Sequence, residues 1–590
     1  MNISERIKKL RELMRAEKID AFVVFNADPH MSEYLPKIWQ EREWISGFTG
    51  SAGFVVITEK KAGLWTDSRY FVQAPIELEG SGIGLFKDGV EGTPDYVRWL
   101  SSELSSGATV AVNALTTSHS QWQHLQETLA KSSINLIDNP LIKKIWTDRP
   151  DSGTNPIFVH PDTWAGQSVA AKLDAIRQKL TAQKADLHLI TSLDDVAWTL
   201  NLRGSDVAYN PVFLGYIALA ADEAILFADL KKIDDSVRSH LSKNGVKIKS
   251  YDEFFTYLQS VENKKIWVAP NANQAIFEIV SAKNTFIIAP PPGNLMKATK
   301  NKTELEGFRK VMVRDGVAMV KFLYWLTHEV GNQPMNEYSI GKKLKEFRAE
   351  GENFVGESFG SIIGYQGNGA IVHYSAKEEN CKEVFAEGSV LVDSGGQYLE
   401  GTTDITRTVP LGTISQQFID DSTLVLKGMI QLSMVRFPKG TRGVQLDAFA
   451  RMALWKNSKD YGHGTGHGVG SFMNVHEGPQ NIRKDMNFQD LQLGMVCSNE
   501  PGFYKENEYG IRHENLVAVT EYSQNEFGTF YEFETLTLCP FFKSAINAEL
   551  LSAEEIQWLN TYHKRCEEAI APHLEGNVKV WFEKLTSPLA

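Results

Sequence analysis

Only four cysteines occur in 590 residues, Cys381, Cys497, Cys539 and Cys566. They are widely spaced and form no CxxC pair, which excludes a zinc ribbon or a disulfide framework and points to a reducing compartment. Basic residues are also scarce. Against 73 Asp and Glu there are 61 Lys and Arg, a formal net charge of −12. A phosphate-tracking surface is therefore not expected, and nucleic acid is excluded as a partner. No run approaches the roughly 20 apolar residues of a membrane span, so no membrane partner is expected. The opening segment, MNISERIKKLRELMRAEKID, spaces Ile7, Leu10, Leu13 and Met14 as a helix does. Charges interrupt it throughout, so it lacks the apolar core of a secretory signal. A cytoplasmic protein is the expectation. A hydrophobic content of 42% and a charged content of 23% fit a folded chain, long enough for several domains.

Two stretches share one layout. The first runs from a helix at residues 4–20 into the strand Ala21–Phe25, then past Asp28, Trp44 and Gly47 to the strand pair GFVVIT and AGLWTD. The second runs from a helix with Leu173, Ile176 and Leu180 into Leu187–Ile190, then past Asp194, Trp198 and Gly204 to FLGYIALA and EAILFAD. The recurrence reads as one duplicated α/β unit. Composition breaks at TDRPDSGTNP (147–156) and again at APPPGN (289–294), where consecutive prolines enter neither a helix nor a central strand. Thr303 and Glu306 then fit a capping box opening a long helix. Three domains follow, about 1–148, 155–292 and 298–590, with a helical tail in which Ile556, Leu559 and Tyr562 recur at helical spacing.

The chemistry concentrates in four short motifs of the last domain: LVDSGGQYLEGTTDITRT, GHGTGHGVG, CSNEPGFY and GIRHENLV. Asp393 ends one apolar run, and Asp404, 11 residues on (404 − 393), sits in a second strand-like run. A hairpin would set the two carboxylates side by side. Glu500 ends another strand-like run, and Glu514 follows 14 residues later (514 − 500) across Pro-Gly and Gly turns. Taken alone, either hairpin reads as an ordinary turn with solvent-facing acids. Taken together, with His467 between them, they read as a metal site, because buried acids need a compensating cation. Four carboxylates match the charge of two divalent ions. Oxygen-dominated ligation with one imidazole suits manganese, with zinc or cobalt also able to bind. Such a centre activates water for attack on a carbonyl or phosphoryl group, which is hydrolase chemistry.

In order and spacing these motifs resemble the M24 metallopeptidases. The three-domain length, LNLRGSDVAYNPVF at 200–213 and HGTGHGVGSFMNVHEGP at 463–479 narrow the likeness to the long cytosolic X-prolyl aminopeptidase type. The resemblance implies an α/β (α+β) chain with two creatinase-like N-terminal domains and a C-terminal pita-bread metallopeptidase domain. It implies that Asp393 binds one metal in bidentate fashion, that Asp404 and Glu514 bridge both, and that His467 and Glu500 complete the shell of the other. Glu500 would shuttle a proton towards the leaving nitrogen. His373, His463 and His476 match the non-ligand histidines near the substrate, and Tyr504 and Arg512 match residues that support the site from behind. Arg69 would reach the active site of a partner in a homodimer. The substrates implied are short peptides with proline second, cleaved by removal of the first residue.

Plainer readings stand beside these. His463 lies four residues before His467 and would shape the glycine-rich loop; His476 precedes Glu477-Gly478-Pro479 and would cap a turn. Arg69 would simply pair with Asp67. A prolidase-like Xaa-Pro dipeptidase shares all five ligands and is the main alternative, disfavoured by the length of this chain. A non-catalytic pita-bread peptide-binding protein would have lost the ligands, which are all present here.

Overall fold

The structure is a computed structural model describing residues 1–589. Two compact units emerge, Met1–His160 with Ser168–Gly293, and Pro161–Gln167 with Asn294–Ala590.

The first unit contains the duplication. One six-stranded sheet runs, edge to edge, Gly84–Lys87, Ala62–Thr66, Phe54–Thr58, Ala21–Val24, Thr109–Val112 and Asn135–Asp138. The second runs Val246–Ser250, Ala224–Ala228, Gly215–Ala220, Leu187–Ile190, Lys265–Val268 and Thr285–Ile288. Successive neighbours pair parallel, antiparallel, antiparallel, parallel and parallel in both sheets. Each repeat opens on an amphipathic helix. Ile3–Ala16 is closed by an Asn2–Glu5 capping box and buries Ile7, Leu10 and Met14; Val169–Gln183 buries Leu173, Ile176 and Leu180. The strands Ala21–Val24 and Leu187–Ile190 are buried along their whole length, as near-continuous apolar runs with parallel neighbours should be.

The second unit is organised by the helix Lys302–Glu329. Its cap differs from the sequence expectation. Asn301 and Glu304 form the capping box, because Asn caps at least as well as Thr and Glu304 stands at the third helical position from Asn301. Thr303 therefore lies inside the helix. The proline break is also shorter than expected, since Pro292–Ala298 is helical. A proline in the first turn loses no helical hydrogen bond.

The long helix packs against two antiparallel sheets. Phe308, Met312 and Val320 meet Val496, Leu516 and Ala518; Met319, Phe322, Leu323 and Leu326 meet Ile363, Val390, Val392, Ile405 and Val409. Each such fully buried side chain contributes about 1.5–3 kcal/mol. One sheet consists of Ile362–Tyr365, Ser389–Ser394 and Ile405–Pro410. The other runs Phe437–Pro438, Gly528–Thr535, Asn515–Asn525, Val496–Asn499, Gly466–Gly468 and Glu477–Ile482. The inner ends of these strands carry the chemistry.

Candidate metal centre

Strand register brings the acids together. Ser389–Ser394 pairs antiparallel with Ile405–Pro410, placing Asp393 opposite Thr406, with Asp404 one residue before the second strand starts. The second pair is a nested hairpin. Val496–Asn499 pairs with Asn515–Asn525, so Asn499 faces Asn515, while Gly502–Lys505 and Tyr509–Arg512 form a small ladder of their own. Glu500 and Glu514 occupy the gaps between the two ladders. There the side chain escapes strict alternation and can turn inward. The Glu514 amide donates to the Thr406 carbonyl (3.1 Å), and the Thr406 hydroxyl donates to Glu514 Oε2 (2.8 Å). The two acid-bearing hairpins are thereby sewn to each other.

His467 enters from the short strand Gly466–Gly468, held between Glu477–Ile482 and Val496–Asn499. The flanking glycines permit this close fit. A Cβ at Gly466 would run into the Ser498 carbonyl, and one at Gly468 into the Glu477 carbonyl. The ring is fixed by its Nδ1–H, which donates to the Gly468 carbonyl (2.9 Å) and turns Nε2 towards the acids. That Nε2 lies 3.4 Å from Asp404 Oδ2 and 3.4 Å from Glu500 Oε1. Ser498 ties the two segments together: its hydroxyl accepts from the His467 amide and donates to Glu500. Ligand atoms of Asp404, His467 and Glu514 all lie within 4.8 Å of one another.

The electrostatics show what the pocket needs. Burial pushes Glu514 well above the usual carboxylate range, and Asp404, Glu500 and Asp393 push it further. Burial raises Glu500 to about 7 against the charge of His467, with Asp404 adding to the rise. Asp393 is also raised, chiefly by burial, in spite of Arg512. Burial works to lower His467, but its hydrogen bond to Asp404 and the charges of Glu500 and Asp404 outweigh it and raise the imidazole to about 9. Asp393 Oδ1 and Glu514 Oε1 are buried without any hydrogen-bond partner. Buried carboxylate oxygens left without a partner are costly unless a cation sits among them. The donor set fits divalent ions.

Around this centre runs a chain of hydrogen bonds. Arg512, buried, donates from Nη2 to Asp393 Oδ2 (2.5 Å) and from Nη1 to the Tyr504 hydroxyl (2.6 Å). Tyr504 must then donate to His463 Nε2 (2.7 Å), and His463 Nδ1–H donates to the Gly464 carbonyl (2.8 Å). His463 is thereby joined through Tyr504 and Arg512 to Asp393. Burial raises the Tyr504 phenol to about 12, which keeps it a donor. His476 packs edge-on against His467, with ring centroids 4.3 Å apart. His373 follows Val372, whose carbonyl accepts from Arg512 (3.4 Å). Arg69 lies in the first unit, where Asp67 accepts from its Nε (2.9 Å) and Nη2 (2.7 Å). Three contributors escaped the sequence reading. Thr406 was legible in principle, since it alternates with Thr408 along ITRTV. Ser498 and the buried Lys300–Glu477 pair beside His476 carry no sequence signal.

Comparison with known proteins accounts for the whole chain. The profile of metallopeptidase family M24 matches residues 306–521, and that of the C-terminal region of peptidase M24 matches 529–589. Two creatinase/prolidase N-terminal domain profiles match 6–144 and 148–304. Xaa-Pro aminopeptidase 1 of Dictyostelium discoideum is 40% identical over 612 residues, spanning 100% of this chain and 97% of its own. A probable Xaa-Pro aminopeptidase P of Laccaria bicolor is 39% identical, spanning 100% and 94%. Among solved structures, an X-prolyl aminopeptidase from Caenorhabditis elegans, described as a cytosolic enzyme with a di-nuclear active site, superposes with a TM-score of 0.96 at 34% identity, covering 100% of both chains.

Proposed function

The chain belongs to metallopeptidase family M24, and from that premise we propose that it is a dinuclear aminopeptidase releasing the first residue of peptides whose second residue is proline. The reading is carried by the convergence of Asp404, His467 and Glu514 within 4.8 Å, in a chain similar along its full length to X-prolyl aminopeptidases. Asp393, Asp404, His467, Glu500 and Glu514 would hold two divalent ions, with Mn²⁺ favoured by the oxygen-rich donor set. Bound there, the ions supply an activated water and a Lewis-acid contact for the carbonyl oxygen.

The remaining chemistry falls to the side chains. Glu500 is the residue proposed to take a proton from that water and return it to the leaving nitrogen. That nitrogen belongs to proline and has no N–H to be gripped, so the shape of the pocket must select the ring. His476, packed on His467, and His373 are the residues proposed to line it and to steady the tetrahedral oxyanion. His463, locked through Tyr504 to Arg512 and Asp393, keeps the Asp393 carboxylate oriented. Arg69 keeps the role the resemblance gives it, reaching a partner's active site in a homodimer, with Asp67 orienting its guanidinium through two hydrogen bonds.

Domains at 1–148, 155–292 and 298–590 and a cytoplasmic location complete the reading. Homodimerisation is supported by the helix Gly443–Trp455, which exposes Phe449, Met452 and Trp455 at 39%, 38% and 46% on one face. Light scattering on a Phe449→Glu/Met452→Glu variant checks it, a monomer being expected.

The activity is tested with Arg-Pro-Pro and Gly-Pro, offered to the metal-stripped protein with and without Mn²⁺. Metal-dependent release of free Arg from the tripeptide is expected. Cleavage of the dipeptide alone would replace the proposal with a prolidase.

A further inference from the structure

Arg407 is buried at 1% exposure, and among the described residues its guanidinium has no carboxylate partner. Carbonyls and hydroxyls surround it instead. Nη1 donates to the carbonyls of Thr406 (2.9 Å) and Glu514 (2.6 Å). Nη2 donates to Asn515 Oδ1 (2.8 Å), the Cys539 carbonyl (2.6 Å) and the Tyr562 hydroxyl (3.2 Å), and Nε donates to the Pro540 carbonyl (3.2 Å). Its plane lies 3.9 Å over the Phe541 ring. The single Tyr562 O–H is shared between the carbonyls of Thr537 (3.0 Å) and Cys539 (2.9 Å), fixing the segment that receives Arg407.

Burying an uncompensated cation is expensive, and an apolar side chain would fill the same space at less cost. The geometry shows what the cation holds. Glu514 is gripped by Thr406 at its amide and at Oε2, and by Arg407 at its carbonyl. Cys539, Pro540, Phe541 and Tyr562 all belong to the C-terminal region 529–589, and they clamp the far side of the same guanidinium. Ligand atoms must be held within about 0.5 Å for a metal site to form. We propose that the segment Cys539–Phe541 and Tyr562 of the C-terminal region brace the metal centre by direct contact, acting through Arg407 on Glu514. Arg407 and Tyr562 are positioning residues, and the inference rests on reading Glu514 as a ligand.

Calorimetric titration of metal-stripped protein with Mn²⁺ tests this, with electron paramagnetic resonance of the loaded protein as a spectroscopic readout. Tyr562→Phe and Arg407→Lys should weaken Mn²⁺ binding by about 10–100-fold, as loss of a residue supporting a ligand does, and diminish the spin-coupled signal of an ion pair. Circular dichroism and cooperative unfolding of the metal-free variants should persist. Phe582→Leu, which alters the buried core of the C-terminal helix Gly576–Thr586 without touching Arg407, should lower the unfolding temperature and leave Mn²⁺ affinity unchanged. Should Arg407→Lys not fold, Tyr562→Phe alone decides. Wild-type affinity in the folded variants overturns the brace, and so does equal weakening by Phe582→Leu. A wild-type protein that takes up no Mn²⁺ overturns the metal reading itself, and the brace with it.

Discussion

Two buried sets of ionisable side chains behave in opposite ways. In the first unit Lys232 meets Asp206 at 2.6 Å, both side chains almost wholly buried, and Asp206 accepts a further bond from the Leu214 amide. One acid is matched by one base. In the proposed metal centre, the charges of Asp393, Asp404, Glu500 and Glu514 are answered, among the described residues, by Arg512 and His467. Two of the acids there keep a buried oxygen with no partner. A balanced pair is complete as it stands and holds structure; an unbalanced cluster is complete only with a cation added. That distinction separates buried charge that serves the fold from buried charge that serves chemistry.

The contrast breaks first at Glu514. Glu514→Ala should reduce metal-dependent peptide cleavage about a thousandfold or more, a loss of several kcal/mol of transition-state stabilisation. The metal-free protein should unfold at the same temperature or higher, since a buried carboxyl crowded by three other acids has gone. Calorimetry beside a peptidase assay reads both, and an active variant would sink the ligand assignment. Asp206→Asn should do the reverse. It leaves Lys232 buried without its charge partner and should cost about 3–5 kcal/mol in urea unfolding, while kcat per folded molecule stays at the wild-type value.

A pH series sharpens the comparison at smaller amplitude. Glu500 is raised in the folded state to about 7, so its contribution to stability is present below the ordinary carboxylate value and lost as pH rises through 7. His467, raised to about 9, contributes below its ordinary value and loses that contribution as pH rises through 9, the same sign. The unfolding temperature of the metal-stripped protein should therefore fall between pH 5 and pH 9. Mn²⁺ should restore more stability at pH 8 than at pH 5, releasing protons as it binds. A flat profile, or equal rescue at both values, would contradict the charge imbalance. The smallest effect is expected at Tyr504→Phe, which cuts the relay between Arg512 and His463. Loss of one buried hydrogen bond to a charged group should cost about 1.5–3 kcal/mol of stability, read in urea unfolding, with metal content unchanged.

Much of this was written in one dimension. Asp393, Asp404, His467, Glu500 and Glu514 were legible only as a set, since either hairpin alone reads as an ordinary turn; two acid-bearing hairpins with a histidine between them suggest a metal, and three of the five, Asp404, His467 and Glu514, converge in the structure. The duplicated α/β unit was legible for a different reason: the order of helix, strand and hairpin is set by apolar periodicity and turn residues, which are local. Helix boundaries were less so. The cap of the long helix fell on Asn301 and not Thr303, since two good caps two residues apart are separated only by how the helix packs. What the tertiary structure alone decided is the set of partners. Thr406 beneath Glu514, Ser498 between His467 and Glu500, and Arg407 between Glu514 and the C-terminal region join residues 2 to 132 positions apart. A hydrogen bond reaches about 3 Å and takes no account of sequence separation. Its donors and acceptors are common residue types, so only the folded chain reveals which of them meet.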